Sequence, residues 1–109
     1  MPDTAEPVLV VDVERDGDEA IVRIDGEIEF ATAPRLRSEL LDLAQDGATP
    51  VILDLSNVPF LDSAGISLLI QAKKRLDAAG SDLVLRAPQP NIRRVLEISG
   101  VTELFRIEP

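Results

Sequence analysis

The sequence predicts a single α/β domain: a mixed, mostly parallel sheet with an N-terminal hairpin and three main helices. Three observations carry that reading. From position 32 onward, helix-like runs alternate with short apolar strand-like runs, a pattern that calls for parallel strands joined by right-handed crossovers. Ahead of them, two strand-like runs flank "RDGD" (15–18), where a glycine accepts the positive φ of a tight hairpin. Finally, 109 residues suffice for one compact core and not for two.

The first strands are "VLVVDVE" (8–14) and "EAIVRID" (19–25), both rich in branched apolar residues. The period then changes. "TAPRLRSELLDLA" (32–44) opens on Thr32 as N-cap with Pro34 in the first turn, places Leu36, Leu40 and Leu43 on one face, and stops at Gly47. "VILDL" (51–55) reads as an interior strand. A second helix is expected over 63–79, followed by a strand "DLVLR" at 82–86. Pro90 starts a third helix with Ile92, Val95, Leu96 and Ser99 on one face, ended by Gly100, and "ELFRI" (103–107) is the last strand. Residues 1–7 are expected to be a flexible N-terminus and 8–109 the domain.

Composition narrows the function. The chain has no cysteine and no histidine, which removes the thiol nucleophile, the commonest general base and the commonest metal ligands. Twenty acidic residues against eleven basic give a net charge of −9. That balance disfavours nucleic acid, whose binding rests on neutralising phosphates, and anionic membrane surfaces. The N-terminal stretch lacks a basic region followed by an apolar run, so a cytoplasmic location is expected. Another protein is the default partner. No Gly-rich phosphate loop, G-x-S-x-G elbow or H-E-x-x-H motif is present. Asp54 and Asp62 could pair for acid–base work, but the simpler roles are an exposed strand position and a helix cap, and no base stands ready to activate a serine. No catalytic residue, metal or cofactor is expected.

"FLDSAGISLL" (60–69) poses the sharper question, because Gly65 stands in the first turn of a well-capped helix, where alanine is about 1 kcal/mol better. Either something must approach Ser63 closely, or the sheet packs tightly there. On a helical wheel Ile66, Leu69, Ile70 and Leu76 share an apolar arc, extended by Leu68 and Ala72, while Ser63, Ser67, Gln71 and Lys74 form the opposite, solvent-facing strip. The arc approaches about 200°, wider than core contact requires, so its margin of Leu68, Ala72 and Ala64 is either covered by a neighbouring helix or left as contact area. The triplet Lys73-Lys74-Arg75 reads as dipole compensation and solvation. Ser63 is either a plain cap or first-turn residue, or a phosphoacceptor whose phosphate the helix N-terminus would receive.

Three collinear blocks then resemble a known family. "RIDGEIEFATAPRLRSEL" (23–40), "VILDLSNVPFLDSAGISLLIQAKKRLDAAGSDLVL" (51–85) and "PNIRRVLEISGVTELFRI" (90–107) are similar to successive segments of the STAS domain of bacterial anti-sigma factor antagonists. The resemblance implies a partner switch rather than an enzyme. The unphosphorylated protein would bind an anti-sigma factor that is also a serine kinase and so free a sigma factor. Phosphorylation of the serine after the motif aspartate, here Ser63, would end binding, and a PP2C-type phosphatase would reverse it. Under this resemblance Gly65 serves close approach. Ala64 stands where a second Ser or Thr is frequent, leaving Ser63 the one acceptor in the motif; Glu29 and the pair Ile66-Ser67 also depart from the usual residues. The docking surface is expected to comprise the turn Glu29, Phe30, Ala31 and Thr32, the loop Asp62, Ser63, Ala64 and Gly65, and the strip through Ser67, Leu68 and Gln71. A monomer or weak dimer is expected. The alternative is a STAS scaffold that works without phosphorylation, or an accessory subunit of a lipid transport or signalling complex; a nucleotide-sensing module has no phosphate loop to support it.

Overall fold

A computed structural model describes residues 8–109; the expected flexible segment 1–7 lies outside the described residues. The order is β1 (Val10–Asp16), β2 (Glu19–Asp25), α1 (Ala33–Gln45), β3 (Val51–Asn57), α2 (Ser63–Ala78), β4 (Leu83–Arg86), α3 (Pro90–Ile98), a 3₁₀ turn (Thr102–Leu104) and β5 (Arg106–Glu108). One five-stranded sheet runs in chain order, β1-β2-β3-β4-β5. β1 and β2 are antiparallel, and all later pairs are parallel. The hairpin closes at the Asp16↔Glu19 pair, with Gly17 at φ +63.

The sheet has one apolar face and one charged face, as its period of two requires. Val22, Ile24, Leu53, Leu55 and Leu85 belong to one buried core with Leu36, Leu40 and Leu43 of α1, Leu69 and Leu76 of α2, and Ile92 and Leu96 of α3. On the other face, register aligns a row of alternating charge across all five strands. Asp12 pairs with Arg23, Arg23 with Asp54, Asp54 with Arg86, and Arg86 with Glu108. Arg86 Nε donates to Glu108 Oε1 at 2.7 Å and Arg23 Nη1 to Glu14 Oε1 at 2.6 Å. Opposite charges facing each other across strands favour this register. Beneath them, buried Ile52 and Val84 stand outside the main core cluster.

Three expectations need correction. The last strand is shorter and later than 103–107: residues 102–104 turn as a 3₁₀ helix so that Val101 and Phe105 both reach the core, and only 106–108 pair with β4. Ser99 is not on the buried face of α3; it is the exposed C-cap. The buried face of α2 is rotated relative to the wheel. Leu68 and Ala72 are buried, while Ile66 and Ile70 are half-buried at the edge of the core, because α1 packs alongside α2 and covers the Leu68 side.

Candidate functional site

The site forms where the loops after β2 and β3 meet at the start of α2. Ile28 and Leu61 make an isolated parallel bridge, with the Ile28 amide donating to Phe60 O at 3.0 Å and the Asp62 amide to Ile28 O at 3.3 Å. The two loops are thus pinned by backbone bonds beyond the strand ends, where ligand and partner sites collect in α/β folds.

Asp62 holds the junction. As the N-cap of α2 it has extended backbone angles, and its Oδ1 accepts from the Gly65 amide at 2.9 Å. Its Oδ2 accepts from the Phe30 amide at 3.1 Å. One carboxylate therefore caps a helix and tethers a turn 32 residues away in sequence. Charge-assisted bonds of this kind are roughly twice as strong as neutral ones.

The turn itself is knotted by Thr32. Its Oγ1 donates to Glu27 O at 2.6 Å and accepts from the Glu29 amide at 3.0 Å, while Glu29 Oε1 accepts from the Ala31 amide at 2.7 Å. Thr32 is only 5 % exposed, so it braces the turn from inside and cannot present its side chain to a partner. Although it bounds α1, it makes no side-chain cap bond; its hydroxyl serves the turn that precedes the helix.

Ser63 is the first residue of α2 and is exposed, as are Ser67 and Gln71, one and two turns further along the same strip. Glu29 and Asp62 are half-buried by their hydrogen bonds, Ala31 is exposed and Ala64 half-buried. Phe30 is 79 % exposed. Leu68, at 3 % exposure, is core rather than contact margin. It floors a hollow of about 430 Å³ whose rim includes Phe30, Pro34, Arg37, Ser67 and Gln71.

Gly65 answers to packing. A Cβ at this position would lie 2.5 Å from Leu61 Cδ1, 2.7 Å from the Ile28 carbonyl oxygen and 3.1 Å from Ile28 Cγ2. The glycine is buried beneath the loop junction. The expectation that it opens a path to Ser63 is corrected: the space is already filled from within the domain.

Asp54 and Asp62 belong to separate networks. Asp54 lies on the charged sheet face, accepting from the Ser56 amide at 3.0 Å and from Ser56 Oγ at 2.7 Å. Partial burial pushes its pKa up, but the Ser56 bonds and the nearby Arg23 and Arg86 outweigh that and hold it below the ordinary carboxylate range. It is a structural anion in the charge row.

Sequence reasoning missed Phe60, 47 % exposed two residues before Asp62, and the braces behind it. Asn91 Nδ2 donates to Pro59 O at 2.9 Å and Gln89 Nε2 to Ser56 O at 3.0 Å, so the start of α3 supports the loop. An apolar aromatic between a proline and a capping aspartate was the available signal for Phe60. Among the described residues no helix is long and apolar enough to cross a membrane.

Comparison with known proteins agrees with this architecture. The STAS domain family model matches residues 10–109. The chain is similar to the anti-sigma-B factor antagonist of Staphylococcus aureus, with 30% identity over 86 residues that cover 79% of this chain and 80% of that protein. Among solved structures it is similar to an anti-sigma factor antagonist from Mycobacterium paratuberculosis, at TM-score 0.84 and 27% identity over 94% of this chain and 86% of that one. The anti-sigma factor antagonist SpoIIAA in its unphosphorylated form shares the fold, at TM-score 0.76 and 24% identity over 90% of this chain and 87% of that one. The proteins so named are regulators that act by binding, not enzymes.

Proposed function

The chain belongs to the STAS domain family, and from that premise we propose that it is an anti-sigma factor antagonist switched by phosphorylation of Ser63. In its unphosphorylated form it binds an anti-sigma factor with serine kinase activity and so frees a sigma factor. The kinase transfers phosphate to Ser63 and binding ends; a PP2C-type phosphatase restores it. The protein works in the cytoplasm as a monomer or weak dimer.

One observation carries the reading: an exposed serine opens α2 directly after a carboxylate whose two oxygens are both tied down. Around it, Ala31, Ala64, Ser67 and Gln71 offer small or polar contact points. Phe30 is the exposed apolar anchor, the role first expected of Leu68. Large aromatics in such positions dominate interface energetics.

Phosphate adds about −1.5 to −2 charge units to a chain of −9. An unpaired charge buried at an interface costs several kcal/mol, and each 1.4 kcal/mol is tenfold in affinity, so phosphorylation is expected to weaken binding about a hundredfold or more. Incubation with the host's anti-sigma factor kinases and ATP, followed by mass spectrometry, is expected to place one phosphate on Ser63. Ser63→Ala should bind constitutively and resist labelling, and Ser63→Asp should bind poorly. If no kinase labels Ser63 and Ser63→Asp binds as tightly as wild type, the switch is wrong and the scaffold role takes its place.

A further inference from the structure

A groove runs between α1 and α2, starting at the hollow beside Phe30 and continuing away from Ser63. A second hollow of about 240 Å³ is lined by Arg37, Leu41, Gln71, Ala72, Lys74 and Arg75. A third, of about 480 Å³, shares Leu41 and Arg75 and reaches Ala79. Because the first and second also share Arg37 and Gln71, the three adjoin in one row. From Ala64 to Ala79 it follows α2 for about 22 Å, at 1.5 Å per residue.

Its charge is opposite to that of the protein. The chain carries twenty acidic residues, yet among the described residues lining the three hollows none is acidic. Arg37, Lys74 and Arg75 all face it, and among the described residues no carboxylate lies within ion-pair reach of any of them. The basic triplet of α2 thus divides. Lys73 is bound to Asp77 at 2.8 Å and Asp82 at 3.0 Å, whereas Lys74 and Arg75 turn to the groove. The floor is apolar and shallow, built from Leu41, Ala44, Ala72 and Ala78, and alanines there let another backbone come close.

We infer that this groove, which shares Phe30, Ala64, Ser67 and Gln71 with the proposed switch surface and extends beyond it, docks an acidic amphipathic helix of a protein partner. Helix-in-groove recognition uses an apolar stripe at i, i+3 or i+4, and i+7, which the alanine-lined floor fits. Glutamates or aspartates flanking that stripe would meet Arg37, Lys74 and Arg75. The length matches about four helical turns, and a row of adjoining open hollows suits an elongated occupant better than a small molecule. The inference does not require phosphorylation: it needs only the fold and the charge pattern.

The test is a titration of the isotope-labelled full chain with a synthetic 16-residue helical peptide, its leucines in one stripe and glutamates on both flanks, followed by NMR. Saturable shifts are expected over 37–45 and 64–79, weakening with added salt. Arg37→Glu/Lys74→Glu alters exposed side chains that have no ion-pair partner among the described residues, so it should melt like wild type while binding the peptide about tenfold or more weakly. Ser63→Asp should still bind it with shifts over 71–79, which separates this site from the phosphoswitch. Absence of saturable shifts overturns the inference, as do shifts centred elsewhere or equal binding of a scrambled peptide. Stronger binding to 3:1 phosphatidylcholine/phosphatidylglycerol vesicles than to the peptide would overturn it too and identify a membrane surface instead.

Discussion

Replacing Gly65 with alanine sets two effects against each other, and the structure decides the sign. By helix propensity alone the change stabilises α2 by about 0.8–1 kcal/mol. The added Cβ, however, would stand 2.7 Å from the Ile28 carbonyl oxygen and 2.5 Å from Leu61 Cδ1. Leu61 could rotate away only by vacating a buried position, at 3 % exposure. The Ile28 carbonyl is backbone and accepts the Asp62 amide at 3.3 Å, so moving it weakens the bond that joins the two loops. Overpacking of this kind costs typically 1–3 kcal/mol, and a contact with immobile backbone belongs at the upper end. Once propensity is subtracted, Gly65→Ala is expected to destabilise by about 1–2 kcal/mol. At roughly 4–5 °C per kcal/mol for a domain of this size, Tm should fall by about 5–10 °C. Thermal and urea unfolding monitored by circular dichroism measure it, with Ser67→Ala as an exposed control on the same helix. A Tm equal to or above that of wild type would mean that propensity decides at this position, and the packing account of Gly65 would be refuted.

Two further outcomes follow from the same geometry. Asp62→Ala removes a cap worth about 1 kcal/mol together with the acceptor of the Phe30 amide; a loss of about 1–2 kcal/mol is expected, with faster hydrogen exchange at both Phe30 and Gly65, and unchanged exchange at Phe30 would show that the tether does not operate in solution. Asp54 has a folded pKa below its ordinary value, so its contribution is present above the unfolded pKa of about 3.9 and is lost as pH falls through the folded value. The stability gap between wild type and Asp54→Asn should therefore be constant near neutrality and shrink below about pH 4, whereas a gap independent of pH would remove Asp54 ionisation as its cause.

The fold was legible because its signals are local. Leu36, Leu40 and Leu43 define the buried face of α1 without help from the rest of the chain, and residues 10–25 carry the first two strands with the hairpin turn between them. Ser63, Ser67 and Gln71 also came out as an exposed strip, since polarity at every fourth residue marks the solvent side of a helix. Misreadings arose where apolar residues gave no contrast. α2 is apolar around much of its circumference, so the wheel alone left Leu68 open between a margin covered by a neighbouring helix and contact area, and the packing of α1 decides for the covered side. "ELFRI" alternates too briefly to separate a strand from a 3₁₀ turn. At the site the obstacle was distance along the chain. The Asp62–Phe30 bond and the Gly65–Ile28 contact each join two loops, and no local pattern announces them.

Those long-range ties also bear on how the proposed switch would act. Both Asp62 oxygens are engaged by amide donors, and the Ile66 amide already bonds Asp62 O at 3.0 Å. The carboxylate next to Ser63 is therefore held in place, and the Gly65 amide is not free to receive a phosphate. Within the domain, a phosphate at the first position of α2 gains about 0.3–1 kcal/mol from the helix dipole and meets repulsion from Asp62. The two effects oppose each other, so the fold has little reason to change. The free energy of switching must then reside at the partner interface. Ser63→Asp is accordingly expected to melt within about 2 °C of wild type, a difference of less than 1 kcal/mol, while its affinity for the anti-sigma factor falls steeply. A variant that lost binding only in proportion to a large drop in Tm would instead point to local unfolding of the Ile28–Leu61 junction as the mechanism.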